Sequence, residues 1–332
     1  MASGSAATPA FSYEPSPWID FFAGYEPPPL QYLLLRSTLG QPKRLQNKSK
    51  QWMTLRAKKL KEDICMLFKT SNDTVVKMSL VDILQHLGID HHFEDQIDTA
   101  MRQILKSEFS KYNLYEVALR FGLLREHGHW VSPDVFNRFK TEDGSFINDI
   151  TNEPRILLCL YNASHLLVHG ELALEETIAF ARHHLESCSG SFKTPLAQQV
   201  QRALHIPMPR TNKRVEMLHY ILEYEQEEHN PILLELAKLD FNIQQNVHSK
   251  ELKAITRWWK HFSGYIELSF IRDRVVEGYT WASVLYYDTK FELTRSMITK
   301  MIVLITTLDD IYDNHATLED SWKLHEAIQR WD

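Results

Sequence analysis

Glycine is scarce in this sequence, with 11 residues among 332. No glycine-rich phosphate loop, HExxH or GxSxG string occurs, which excludes chemistry built on a P-loop, a zincin helix or a nucleophile elbow. Cysteine is scarcer still. Cys65, Cys159 and Cys188 stand apart without CxxC spacing, which argues against a disulfide framework or a zinc knuckle and for a reducing compartment, the cytosol. The apolar stretch Met301 to Leu308 falls far short of the roughly 20 residues a bilayer span needs, so no membrane helix is expected. Positive charge is not in excess. Lys and Arg number 37 against 43 Asp and Glu, a formal net charge of −6, and no nucleic-acid partner is expected. The basic stretch of Lys43, Arg44, Lys48, Lys50, Arg56, Lys58, Lys59 and Lys61 reads as a solvated helix face. Met1 to Phe11 has neither the Arg-rich amphipathy of a transit peptide nor the apolar core of a secretory signal, and reads as a disordered start.

What the sequence does contain is helical periodicity. Spacings of three and four recur almost everywhere, so the expected fold class is all-α. Trp52, Leu55, Leu60, Ile64 and Leu67 form one stripe, Phe93, Ile97, Met101 and Ile104 a second, and Leu114, Val117, Ala118 and Phe121 a third. Ser79 followed by Asp82 resembles a capping box, and Ser132 before Pro133 a helix start. Asp143-Gly144 marks a turn. Ile206 to Asn212, with Pro207 and Pro209, interrupts the pattern and is the expected domain linker.

Chemistry concentrates near the C-terminus. Ile298, Ile302 and Ile305 make a stripe that Asp309 and Asp313 continue at helical spacing. Buried aspartate is costly unless paired or metal-bound, so inward-facing acids at this spacing suggest a Mg²⁺ site that also takes substrate phosphates. On the string DDIYD alone, a fortuitous acidic helix end remains an open alternative. Upstream, Arg272-Asp273-Arg274 offers guanidinium forks that match phosphate oxygens. Arg-Asp-Arg is more often a surface ion-pair cluster, and only the downstream acids lift it. Trp258, Trp259 and Trp281 flank this region, where aromatic faces can stabilise a cation.

The strings LDFNIQQNVHSKEL from Leu239, RWWK from Arg257, RDRVVEGYTW from Arg272, LDDIYD from Leu308 and AIQRWD from Ala327 resemble the catalytic domain of plant terpene synthases. The resemblance extends through PSPWIDFF (Pro15 to Phe22), LGIDHHFEDQI (Leu87 to Ile97), ALRFGLLREHG (Ala118 to Gly128) and VSPDVFNRFK (Val131 to Lys140). It implies an all-α protein. A disordered N-terminus covers 1–17, a non-catalytic N-terminal helical domain 18–206, a linker 207–212, and the first part of the class I metal-binding catalytic domain 213–332.

The same resemblance implies an Mg²⁺-dependent lyase, with Mn²⁺ as substitute, that ionises a prenyl diphosphate. Asp309, Asp310 and Asp313 would form its aspartate-rich motif, Asp309 and Asp313 binding the metal directly with Asp310 in support. Arg272 and Arg274 would capture the diphosphate, and Trp281 would line the pocket. No DxDD string occurs, and the family's twin arginine before Trp18 is replaced by Thr8 and Pro9. These features resemble the cytosolic sesquiterpene branch, so the expectation is a cytoplasmic monomer acting on farnesyl diphosphate.

Three departures stand out. Tyr32 to Leu45 looks like extra sequence, Ala316 stands where the family usually has glycine, and the chain ends at Asp332 before the second magnesium motif. A truncated, catalytically silent helical protein is therefore the alternative. A prenyl chain-elongating enzyme is a third option, disfavoured by the N-terminal similarity.

Overall fold

The structure, a computed structural model, describes residues 16–25, 50–142, 144, 146–147, 153–227, 229–266 and 271–330. Among them regular structure is helical, apart from one bridge between Lys140 and Phe146. No helix of the described residues is long and apolar enough to cross a membrane. The chain divides into two compact units, residues 32–240 and residues 1–31 with 241–332. The Tyr32–Leu45 segment lies outside the described residues, as does the expected start over 1–15.

In the 32–240 unit, α2 (Lys50–Thr70) is followed by α3 (Thr74–His86), whose first turn is capped by the Asp73 carboxylate accepting the Val75 N–H at 2.8 Å. Ser79 therefore lies inside a helix and caps nothing, which corrects the capping box expected there. α4 (Glu94–Lys106) and α5 (Leu114–Glu126) bury the stripes expected of them. Asn113 and Glu116 close a reciprocal capping box at the head of α5, with bonds of 3.0 and 2.9 Å. The stripe on α2 sits differently: Met53, Ala57, Leu60, Ile64 and Phe68 face the core while Trp52 and Leu55 are exposed. Bulky residues at the helix start are a weaker guide to the buried face than the period carried through its whole length.

α6 (Pro154–Ser164), α7 (Leu172–Cys188), α8 (Leu196–His205) and α9 (Lys213–Gln226) complete this unit, together with the first turns of α10 (Pro231–Ile266). The Pro207–Asn212 stretch is a short 3-10 turn at Met208–Arg210, and Asn212 then caps α9. It interrupts helix as expected, while the division into units falls later, at Asp240 and Phe241, inside α10.

His165 sits beside the T-stacked ring of Tyr161, both its ring nitrogens buried without a partner among the described residues. Burial, aided by Arg210 and Arg182, pushes its pKa down to about 4. Between the ordinary histidine value near 6.5 and about 4, the unfolded chain takes up a proton that the folded chain refuses. Stability is therefore lost as pH falls through that window. Melting followed from pH 7 to pH 4 should show this loss, and His165→Phe should flatten it. An unchanged pH profile in the variant would remove His165 from the account.

The second unit contains α1 (Ile19–Gly24), the remainder of α10, α11 (Val275–Leu285), α12 (Glu292–Asp310) and α13 (Leu318–Gln329). Its core is Ile255, Trp259, Val275, Val276, Tyr279 and Val303, against which Phe22 packs. Lys260 pairs with Asp20 at 2.5 Å, and the Arg257 Nε donates to the Ala23 carbonyl at 3.3 Å.

Candidate active site

α12 presents Arg295, Thr299, Val303, Thr307 and finally Asp310 to the interior. These residues share a face at steps of four and three. The threonine hydroxyls are satisfied within the helix, Thr299 donating to the Arg295 carbonyl at 2.7 Å and Thr307 to the Val303 carbonyl at 2.9 Å, so they can be buried at little cost. The buried stripe therefore lies beside the expected isoleucine row. Ile305 is 61% exposed and the Asp309 side chain 54% exposed, and Asp313 is exposed too. That corrects the inward orientation expected of Asp309 and Asp313. The acid that does point inward is Asp310, with no exposure at all.

Asp310 is held by one residue from two sides. The Arg272 backbone N–H donates to Asp310 Oδ2 at 2.8 Å, and the Arg272 Nε lies 2.5 Å from Oδ1. The same guanidinium reaches outward, its Nη2 donating to Asp309 Oδ2 at 2.7 Å. Arg272, Asp309 and Asp310, far apart in sequence, thus form one charged cluster at the C-terminal end of α12. Arg274, the N-cap residue of α11, turns instead to Glu277 at 3.1 Å. Between them, burial pushes the Asp273 carboxyl up, against hydrogen bonds from the Val275 N–H and the Trp259 side chain. Trp281 stands 64% exposed on α11, Trp259 is buried, and Trp258 stacks on Phe262 with the Lys300 ammonium over its ring.

The helix continues as a π-turn over Ile311–His315, which carries Asp313. Ala316 follows with φ −74° and ψ 136°, an extended conformation that needs no glycine, so alanine is accommodated there without strain. Thr317 and Asp320 then close a capping box that starts α13.

Carboxylates in the last turn of a helix face the negative end of its dipole, which disfavours them unless a cation is present. α12 has no basic residue of its own in that turn, and Arg272 supplies the positive charge. The donor set fits a divalent cation as well. Asp309 and Asp313 are exposed oxygen donors of the hard type that Mg²⁺ prefers, whereas Asp310 is enclosed and bonded to Arg272.

Sequence reasoning missed a further group. His91, His92 and Asp240 bring their ligand atoms within 4.8 Å of one another, a spacing that could hold a metal. The Lys61 ammonium lies 3.1 Å from His92 Nδ1, which must accept, and His92 Nε2 then carries the proton donated to Asp240 Oδ1 at 2.7 Å. That relay ties the turn after α3 to α10 and leaves His92 no lone pair for a metal. The adjacent histidines in LGIDHHFEDQI were the only signal for it.

Residues 31–204 match the terpene synthase N-terminal domain, and residues 260–332 the metal binding domain of the terpene synthase family. Among curated proteins, the chain is 46% identical to tau-cadinol synthase of Zea mays over 99% of its own length and 59% of that protein's. It is 45% identical to alpha-copaene synthase of the same plant, covering 95% of this chain and 57% of that one. Among solved structures, isoprene synthase from grey poplar leaves (Populus x canescens) superimposes with TM-score 0.79 at 31% identity, over 97% of this chain and 58% of that one. The same enzyme in complex with three Mg²⁺ ions and dimethylallyl-S-thiolodiphosphate gives TM-score 0.78 at 34% identity, over 85% and 55%. The chain thus spans less than two thirds of the length of these relatives. Each compact unit holds most or all of one matched stretch, and with an all-helical fold and paired aspartates at the end of α12, the chain belongs to the terpene synthase family.

Proposed function

We propose that this chain carries the diphosphate-capturing part of a lyase that ionises a prenyl diphosphate with Mg²⁺, farnesyl diphosphate being the substrate. The observation that supports this best is the junction of Arg272 with Asp309 and Asp310 at the C-terminal end of α12. A candidate metal ligand, Asp309, and a phosphate-matching guanidinium meet there. Asp309 and Asp313 would hold the metal through their carboxylate oxygens, and Arg272, now paired with Asp309, would bond the phosphate oxygens. Asp310 keeps its hold on the Arg272 backbone and fixes the start of the Arg272-Asp273-Arg274 segment. The metal supplies neutralisation of charge on the departing diphosphate. Farnesyl diphosphate is favoured because two of the relatives are named for tau-cadinol and alpha-copaene, fifteen-carbon skeletons of the size that farnesyl diphosphate supplies.

A second reading is that the chain, at this extent, binds metal diphosphate without turning over. The exposure of Trp281, Leu285, Met301, Ile305 and Trp322 supports it, since a carbocation needs a dry enclosure.

Calorimetric titration of inorganic diphosphate with and without Mg²⁺ tests the site, and incubation with farnesyl diphosphate followed by gas chromatography separates the two readings. Binding should require Mg²⁺ and weaken by roughly ten- to a hundredfold in Arg272→Ala, the worth of one charge-assisted hydrogen bond. Binding indifferent to both Mg²⁺ and Arg272→Ala would defeat the proposal. A sesquiterpene product would select the first reading, and diphosphate binding without product the second.

A further inference from the structure

A cavity lies within the 32–240 unit. It measures about 410 Å³ and is bounded by α3, α5, α6, α8 and α9, a size within the range of small-molecule sites. Asp82 and His86 of α3, Tyr115 of α5, Cys159 of α6, and Tyr220 and Tyr224 of α9 line it.

Asp82 sets its chemistry. His86 Nδ1 lies 2.8 Å from the Asp82 main-chain oxygen, so that nitrogen must carry the proton and spends it on the carbonyl. The Asp82 carboxylate receives only a long 3.4 Å approach from the same atom. Burial pushes its pKa up, with His86 the one group offsetting it, so no strong cation compensates it. Of the other cations lining the cavity, Arg155 pairs with Glu227 at 2.6 Å, and Lys213 lies close enough to Asp90 to offset part of the rise that burial gives its carboxyl.

An aromatic wall faces this carboxylate. His86 lies against Tyr220 at 4.8 Å between ring centres, and Tyr220 stacks on Tyr224 at 5.8 Å. Tyr115, Cys159 and Tyr220 all feel the negative charge of Asp82, which places them around it. A half-buried carboxylate on the wall of a cavity, beside aromatic faces, matches an organic cation better than any other ligand. An anion would be repelled by Asp82, and a neutral hydrocarbon would leave it without a donor.

We infer that this cavity is a second binding site, one that takes a small organic ammonium whose charged end meets Asp82 and whose apolar body lies along Tyr220 and Tyr224. The site owes nothing to the Arg272–Asp309–Asp310 cluster and operates whether or not the chain turns over a prenyl diphosphate.

Three probes of nearly equal size decide the matter at pH 7: benzylamine, which is protonated, benzyl alcohol, and benzoate. Binding to the full chain is followed by calorimetry and by ligand-observed NMR. Benzylamine should bind saturably and tighter than the other two. Asp82→Asn, which keeps the shape and removes the charge, should weaken benzylamine by roughly ten- to a hundredfold, the loss of one charged hydrogen bond. Cys159→Phe, which projects a ring into the cavity, should abolish binding, with circular dichroism and melting used to check its fold. Should Cys159→Phe fail to fold, Asp82→Asn and the three-probe ranking still decide. Absence of saturable benzylamine binding would overturn the inference, as would benzyl alcohol or benzoate binding equally well, or Asp82→Asn leaving the affinity unchanged.

Discussion

Arg295→Met is expected to destabilise the 241–332 unit by about 3–5 kcal/mol, the loss that follows when one partner of a buried ion pair is removed and the other stays buried. Arg295 is fully buried and pairs with Glu251, itself only 7% exposed, through Nη2 to Oε1 at 2.6 Å and Nε to Oε2 at 2.8 Å. Its remaining nitrogen donates to the carbonyls of Tyr286 and Asp288 at 2.5 and 2.6 Å, and the Tyr279 hydroxyl donates to Glu251 at 2.8 Å. Burial and the neighbouring carboxylate push the Tyr279 hydroxyl well above its ordinary pKa. One guanidinium therefore joins α10, α12 and the Tyr286–Asp288 turn that follows α11. Methionine fills much of the volume, so the loss is one of charge and hydrogen bonds. Urea unfolding of the two chains measures it, and the double variant Arg295→Met with Glu251→Leu should recover part of the loss by removing the stranded carboxylate. A single-variant loss below about 1 kcal/mol, in the range of an exposed pair, would show that the network contributes little.

Asp310→Leu is expected to lower the affinity for magnesium diphosphate by roughly a hundredfold, more than truncation of any other acid in the cluster. Breaking its enclosed pair with Arg272 frees both the guanidinium and the backbone N–H that fix the Arg272 segment, a change of about 3 kcal/mol or more. Asp310→Asn should recover part of this, because the amide oxygen can still accept the Arg272 backbone N–H now bonded at 2.8 Å. Asp310 acts here as a positioning residue. Mn²⁺ binding in the absence of diphosphate, followed by electron paramagnetic resonance, should then change little in Asp310→Asn and fall sharply in Asp309→Ala. An equal loss of Mn²⁺ in both variants would make Asp310 a ligand and sink the positioning role.

The all-helical fold was legible from the sequence because apolar spacing of three and four is a backbone property repeated along the chain. The stripes on α4 and α5 were legible too, since strictly apolar residues carry them. The buried face of α12 was not. It is built from Arg295, Thr299, Thr307 and Asp310, polar residues that burial tolerates only because the threonines are bonded within the helix and Arg295 and Asp310 are paired with other elements, and a hydrophobic pattern looks past them to the isoleucines beside. Guanidinium chemistry singles out Arg272 in the sequence, but its attachment to Asp310 through the backbone N–H is tertiary and has no sequence signal. The cavity around Asp82 was hidden for the same reason. Its spacing from Ser79 makes Asp82 look like half of a capping box, and nothing in its local string shows that Tyr115, Cys159 and Tyr220 arrive from other helices.

The long helix α10 constrains how this chain could be recombined with its relatives. Its 36 residues make a rod of about 54 Å, and the boundary between the two compact units falls on it at Asp240 and Phe241. A chimaera joined at the proline-marked stretch 207–212 would graft α9 and the head of α10 onto a foreign partner surface, although Met217, Ile221, Leu233, Leu236 and Ala237 are buried in the unit that ends at Asp240. A crossover near Asp240, chosen to keep the helical phase, would respect both hydrophobic cores. Glycine and proline mark turns, whereas in this fold the division between the two compact units falls within one continuous helix.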